Sequence, residues 1–266
     1  MRLASLDAGY RPWSRLGDDH VVPGDYVALD LETSGFSPSA DVPWQAGLSW
    51  WRDGVETAFL ELHVDWTGTV PPRELEDKWG RIDAALTAKD EANGVKRAMV
   101  VKGMDPVQAW VIVRMATLGR TVCGHNLLRF DAPFLDAWAS RVQGPPWAPF
   151  AILDTLAFAR AVSGKRTEVE PLAKEPFLDW QRRLAGKRTG GFRLAADLQA
   201  AYELPAVEGQ EHGALHDARL AGLLVQAWRG LLRRPSDESP TVAEALASSE
   251  TLAREFDKGL AAAAAT

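Results

Sequence analysis

The sequence predicts an α/β domain with a mixed central sheet flanked by helices, and three observations predict it. Short β-rich apolar segments alternate with segments of helical spacing. An Asp-Gly hairpin signal follows the first strand. That strand carries two acids at its apolar end. With 266 residues, 46% of them hydrophobic, the chain is long enough for one or two domains and a sizeable core.

The stretch Tyr26-Val-Ala-Leu-Asp30-Leu-Glu32-Thr33-Ser34-Gly35 reads as a buried strand ending in a turn. Strand side chains alternate between faces, so Val27, Leu29 and Leu31 share one side and Ala28, Asp30 and Glu32 the other. Ionised carboxylates are rarely buried unless they are paired or bind a metal. Two of them on one face ask for a cation, although alone they could be surface acids at a strand end.

Segments 46–51 and 55–64 are rich in β-formers around Arg52-Asp53-Gly54, whose Asp-Gly pair favours a tight hairpin. They are expected to make an antiparallel edge beside the first strand. Residues 71–90 read as a polar helical insertion. Asp105-Pro106 opens a helix with an apolar-rich stripe of Val107, Trp110, Val111, Val113, Arg114 and Leu118. Thr121-Val-Cys is a short strand delivering His125 and Asn126. A helix over 134–141 follows Asp131, and 151–154 is a further strand. Helices over 194–202 and 214–232 complete the order, the last carrying Asp217. Trp50, Trp110, Trp138 and Trp228 read as packing residues, whereas Trp44 and Trp180 are candidates for a site rim.

Two later segments carry chemistry. One is Val122-Cys-Gly-His125-Asn126 running on to Asp131-Ala-Pro-Phe134-Leu135; the other is His212-Gly-Ala-Leu-His-Asp217. Alone, Asp131 could be a helix N-cap, since Pro133 and an apolar helix follow. His212 and His216 are four apart and could form a zinc pair, but Gly213 stands where the glutamate of H-E-x-x-H would be. The step from His212 to Asp217 turns an ideal helix by about 500°, leaving the two side chains about 140° apart. His212 is therefore expected on the loop before the helix, with Asp217 inside it.

In this order, D-x-E, H-N…F-D…F-L and H-x4-D resemble the DEDDh (DnaQ-like) 3′→5′ exonucleases, the family that includes the proofreading subunit of bacterial DNA polymerase III. The resemblance covers residues 26–229 and implies the ribonuclease H-like exonuclease fold. It also implies that Asp30, Glu32, Asp131 and Asp217 hold two Mg²⁺ (or Mn²⁺) ions. Asp30 would bridge both ions, Glu32 and Asp217 assist one, and Asp131 hold the other mainly through water. His212 matches the family's general base, and Thr33, His125 and Asn126 are expected strand contacts. The step from His125 to Asp131 is one residue longer than in the proofreading subunit, a form that related exonucleases share. Asp154, in Ile152-Leu153-Asp154-Thr155, resembles a recurrent structural element and stays outside the metal set.

Physics and the resemblance agree on the chemistry. Phosphodiester hydrolysis needs an activated water and neutralised phosphoryl charge, which two metals about 3.5–4 Å apart can supply. Carboxylates suit Mg²⁺ better than imidazoles or thiolates do. An imidazole titrating near ~6.5 suits a general base. The expected activity is a 3′→5′ exonuclease on single-stranded or frayed DNA 3′ ends, releasing 5′-mononucleotides, with proofreading, replication and repair open as roles. The alternatives are an oligoribonuclease-like RNA exonuclease and a non-catalytic polymerase-accessory subunit.

Net charge is −6, from 30 basic and 36 acidic residues, which is not the balance of a general nucleic-acid binder. Charge is uneven, however. Residues 164–193 hold eight positives (Lys165, Arg166, Lys174, Arg182, Arg183, Lys187, Arg188, Arg193) against four acids (Glu168, Glu170, Glu175, Asp179), a local net of +4. Arg182, Arg183, Lys187 and Arg188 are candidate strand contacts. With Phe177, Trp180 and Phe192 between them, they could line a stacking groove or form a solvated loop. A single cysteine, Cys123, excludes an internal disulfide and fits a reducing cytoplasm. The sequence has no run of eighteen apolar residues and no apolar segment behind its first basic residue, so a cytoplasmic protein without membrane association is expected.

The expected organisation is an N-terminal extension (1–24), an exonuclease domain (25–232) with insertions at 71–98 and 164–193, and a linker with a helical tail (233–266). Arg233 to Pro240 is a linker by composition. Thr241-Val-Ala-Glu244 then offers a capping box before Val242, Leu246, Leu252, Phe256 and Leu260 at roughly helical spacing. Such a helix could pack back on the domain or dock on a DNA polymerase.

Overall fold

The computed structural model describes residues 24–66, 103–163, 172, 175–187, 192–207 and 213–233. The N-terminal extension, the 71–98 insertion with its expected helix, and the linker and tail beyond 233 lie outside the described residues. So do His212, Lys165, Arg166, Lys174 and Arg188.

Strand β1 (Asp25–Thr33) lies at the centre of a five-stranded sheet. On one side β2 (Pro43–Arg52) pairs with it antiparallel, and β3 (Val55–His63) pairs antiparallel with β2 at the edge. Asp53 and Gly54 join them with φ of 49° and 93°, the left-handed pair that the Asp-Gly signal called for. On the other side β4 (Thr121–Gly124) and β5 (Ala151–Asp154) run parallel to β1, giving the order β3-β2-β1-β4-β5.

Alternation along β1 builds two cores. Val27, Leu29 and Leu31 enter one with Leu48, Trp110, Phe134 and Trp138, under helices α1 (Pro106–Thr117) and α2 (Asp131–Arg141). Tyr26 and Ala28 enter the other with Leu153, Phe158, Leu224 and Trp228. Helices α3 (Thr155–Ser163), α4 (Phe177–Ala185) and α5 (Ala214–Arg233) cover that face. With both faces of β1 buried, a one-residue slip would exchange the two apolar sets and drive Asp30 and Glu32 into the α1–α2 core. That locks the register.

Several expectations need correction. Asp105 caps α1 through Val107 and Gln108 N–H, but the inward face is Ala109, Trp110, Val113 and Thr117. Val107 and Val111 fall on another face of the helix and Leu118 lies past its end, and all three are exposed. The 194–202 helix starts as a π-turn over Leu194–Gln199, with Leu198 N–H bonding the Arg193 carbonyl. Trp44 and Trp180 do not rim a site, for both are buried. Within 164–193, α4 is amphipathic and turns Trp180, Gln181 and Leu184 inward. Phe177 and Trp180 pack on Phe158, and Phe192 lies against the same core, so this trio forms no open stacking groove. Among the described residues, no helix is long and apolar enough to cross a membrane.

Candidate metal centre

The end of β1 and the start of α5 meet over one face of the sheet. There Asp30, Glu32 and Asp217 each bring a carboxylate oxygen within 4.8 Å of the others. Asp30 and Glu32 share the face covered by α5 because they are two apart on the strand. Asp217 stands in the first turn of α5, where the positive end of the helix favours an anion. The Asp217 backbone N–H donates to the Gly213 carbonyl, and His216 Nδ1 lies 3.1 Å from Asp217 Oδ1, so the backbone bond fixes the residue in the first turn while His216 contacts the carboxylate. The sequence places His212 two residues before α5 begins, and Gly213 is not helical, so no continuous helix runs through His212 and Asp217. Among the described residues, the clustered ligand set contains no histidine nitrogen.

Asp131 sits apart from the three, as the first residue of α2. It does not cap its own helix. Its Oδ1 reaches across to accept the Leu31 N–H at 3.0 Å, between Asp30 and Glu32 in sequence. The carboxyl is 1% exposed, and Oδ2 is buried with no hydrogen-bond partner among the described residues. Burial pushes its pKa well above the usual carboxylate range; the Leu31 N–H opposes this and the nearby Asp154 and Glu32 charges reinforce it. Three converging carboxylates and an orphaned buried carboxylate oxygen are hard oxygen donors, and they fit Mg²⁺ or Mn²⁺.

Asp154 serves the frame. Oδ1 accepts Leu156 and Ala157 N–H at the start of α3, and Oδ2 accepts Leu128 N–H from the loop leading to Asp131. Burial raises its carboxyl to about 6. In that loop Asn126 adopts φ 62°, and its carbonyl accepts Arg129 and Phe130 N–H.

The residues expected to touch a strand divide into two groups. His125 is turned inward: Nε2 bonds the Phe192 carbonyl at 2.7 Å and Nδ1 the Thr155 hydroxyl at 3.0 Å. The carbonyl can only accept, so the neutral ring carries its proton on Nε2. Burial lowers the imidazole to about 4. Arg183 is likewise committed, forked onto Glu175 at 2.7 Å through both Nε and Nη2. Arg182 is exposed and pairs with Asp179 one turn away. Thr33 Oγ1 donates to the Gly35 carbonyl at 2.6 Å, tightening the turn after the acids.

That turn holds a residue the sequence reading passed over. Phe36 is 91% exposed and its ring sits edge-on to Phe130, the neighbour of Asp131. An aromatic four residues beyond the second acid was the available signal.

No family model matches the chain, and no curated protein matches it. Solved structures do match. Exonuclease I of E. coli, in its zinc-bound complex with single-stranded DNA, aligns with a TM-score of 0.55 at 16% identity, over 80% of this chain and 42% of that one. Exonuclease I of Methylocaldum szegediense aligns with a TM-score of 0.54 at 19% identity, over 79% and 42%. The E. coli protein with a dA16 oligonucleotide gives 0.52 at 17% identity, over 77% and 41%. The chain thus spans about two fifths of the length of these proteins. The likeness is one of fold: the mixed sheet and its helices form the ribonuclease H-like exonuclease fold expected from the sequence.

Proposed function

We propose that this chain is a metal-dependent 3′→5′ exonuclease acting on single-stranded or frayed 3′ ends, DNA in preference to RNA. The observation that carries this reading is the meeting of Asp30, Glu32 and Asp217 within 4.8 Å, with Asp131 tied to the same strand. Carboxylates that close repel one another unless a cation lies among them. Asp30, Glu32, Asp217 and Asp131 would hold two Mg²⁺ or Mn²⁺ ions. Bound there, the ions would activate a water and offset charge on the attacking and leaving oxygens.

The remaining work falls to the chain's own groups. His212 would take the proton of the attacking water. Phe36 would stack on the terminal base. Thr33, Asn126 and Arg182 would meet the strand around it. The catalytic unit would be residues 25–232. A polymerase partner reached through 233–266, with a proofreading role, belongs to the same reading. The fold shared with E. coli exonuclease I, solved with single-stranded DNA, supports it.

The test is a gel assay on 5′-labelled single-stranded DNA and matching RNA with Mg²⁺, Mn²⁺ or EDTA. A metal-dependent ladder shortening from the 3′ end of DNA is expected. A ladder on RNA alone would move the substrate to RNA, since the choice rests on contacts at the 2′ position. Strand binding without any cleavage would overturn the enzyme in favour of an accessory subunit.

A further inference from the structure

The clustered carboxylates come from two elements: Asp30 and Glu32 from β1, Asp217 from α5. Metal ligation tolerates little error in ligand position, so something must fix the helix against the strand. Apolar packing of Leu224, Val225 and Trp228 holds α5 on the sheet. Such packing is non-directional, however, and does little to resist a small slide of the helix.

Further along α5, Tyr26 Oη donates to the Gly222 carbonyl and Arg219 Nε to Glu56 Oε1; at the start of the helix, beside Asp217, the directional contacts come from β2. Its register places Gly47 opposite Asp30 and Gln45 opposite Glu32. Both face α5, as Trp51 does on the same alternation. A Cβ at Gly47 would stand 2.2 Å from the Ala214 carbonyl carbon and 2.3 Å from Leu215 N. The Ala214–Leu215 peptide therefore leaves no room for any side chain at Gly47. Gln45 is 1% exposed; its Oε1 accepts Ala214 N–H at 3.3 Å, and its Nε2 donates to Glu61 Oε1 at 2.6 Å. Ala214 opens α5, and its N–H is one of the donors a helix cannot satisfy internally. Asp217 follows less than one turn later.

We propose that Gln45 and Gly47 are positioning residues, which seat the start of α5 on β2 and so set the Asp217 carboxylate against Asp30 and Glu32. Gly47 fixes the depth of the helix and Gln45 its place along the strand, with Glu61 holding the amide in orientation. This rests on the reading of those acids as a divalent-metal site.

The test uses Gln45→Leu in the full chain, with Mn²⁺ binding followed by electron paramagnetic resonance and amide exchange followed at Ala214. The variant should fold, bind Mn²⁺ roughly tenfold more weakly, and exchange the Ala214 amide several-fold faster. Ser49→Ala, on the same face of β2, loses a bond to Glu56 and should leave Mn²⁺ affinity unchanged. The double variant Gln45→Glu with Glu61→Gln keeps the acceptor for Ala214 and reverses the bond to residue 61, so it should recover affinity. Wild-type Mn²⁺ affinity in folded Gln45→Leu overturns the proposal. Should the wild-type protein take up no Mn²⁺, the metal reading itself falls. Exchange at Ala214 then decides the seat, and an unchanged rate removes it too.

Discussion

Leu31 N–H donates to Asp131 Oδ1 across one hundred residues of sequence, at 3.0 Å. Because Leu31 lies between Asp30 and Glu32, this bond fastens the start of α2 to the strand position that carries both acids. It also separates two ways of losing Asp131. Asp131→Asn keeps an acceptor for Leu31 and removes a buried charge, so stability should hold or rise while metal-dependent cleavage is lost. Asp131→Ala leaves a buried N–H unpaired and should cost about 1–3 kcal/mol relative to the Asn variant. Urea denaturation of the two variants checks this; equal midpoints would remove the clamp.

Asp30→Ala takes one carboxylate out of a repelling cluster, and it should fold as well as the parent without metal. Losing several kcal/mol of charge stabilisation in the transition state corresponds to a rate fall of roughly a thousandfold. Single-turnover cleavage of labelled single-stranded DNA, beside a melting curve in EDTA, gives both readouts. Parent-like turnover in this variant would move the metal site elsewhere.

What the sequence could and could not convey follows from the range of each interaction. Asp30 and Glu32 were legible because strand alternation is local, and the start of α5 was legible because the five-residue step from His212 to Asp217 does not fit one helix face. The partner of Asp131 was not, since a bond to Leu31 exists only once α2 is packed on the sheet. The basic-aromatic segment misled for a related reason. Composition set cations and rings side by side, but the phase of α4 turns Trp180 inward and leaves Arg182 outside. Nothing local to Gly47 in the sequence signals its role, because the backbone that crowds it belongs to Ala214 and Leu215, far along the chain.

Phe36→Ala separates strand binding from folding. At 91% exposure the ring contributes little to the core, so the melting temperature should not move. If the ring stacks on a base, its removal should weaken single-strand binding by about 1–3 kcal/mol. Fluorescence anisotropy with a labelled oligonucleotide, in EDTA to prevent cleavage, reads this directly. Unchanged affinity would exclude Phe36 from the strand's path.

His125 gives a pH signature with a definite sign. Burial is the largest cause of its depressed pKa, about 4; Arg160 adds to the effect, while the Phe192 carbonyl and the Asp217 charge oppose it. The unfolded chain binds a proton near ~6.5, so between that pH and 4 it holds more protons than the folded protein. The stability His125 contributes is therefore complete above about pH 6.5 and drains away as pH falls, by roughly 2 kcal/mol at pH 5. His125→Gln lacks the titrating group and should lose less stability over the same interval. Urea midpoints of parent and variant, measured with EDTA from pH 7.5 to 5, should converge as pH falls. A gap that stays constant would mean that the ring titrates normally, and the inward pair of bonds to Thr155 and Phe192 would then not describe the folded protein.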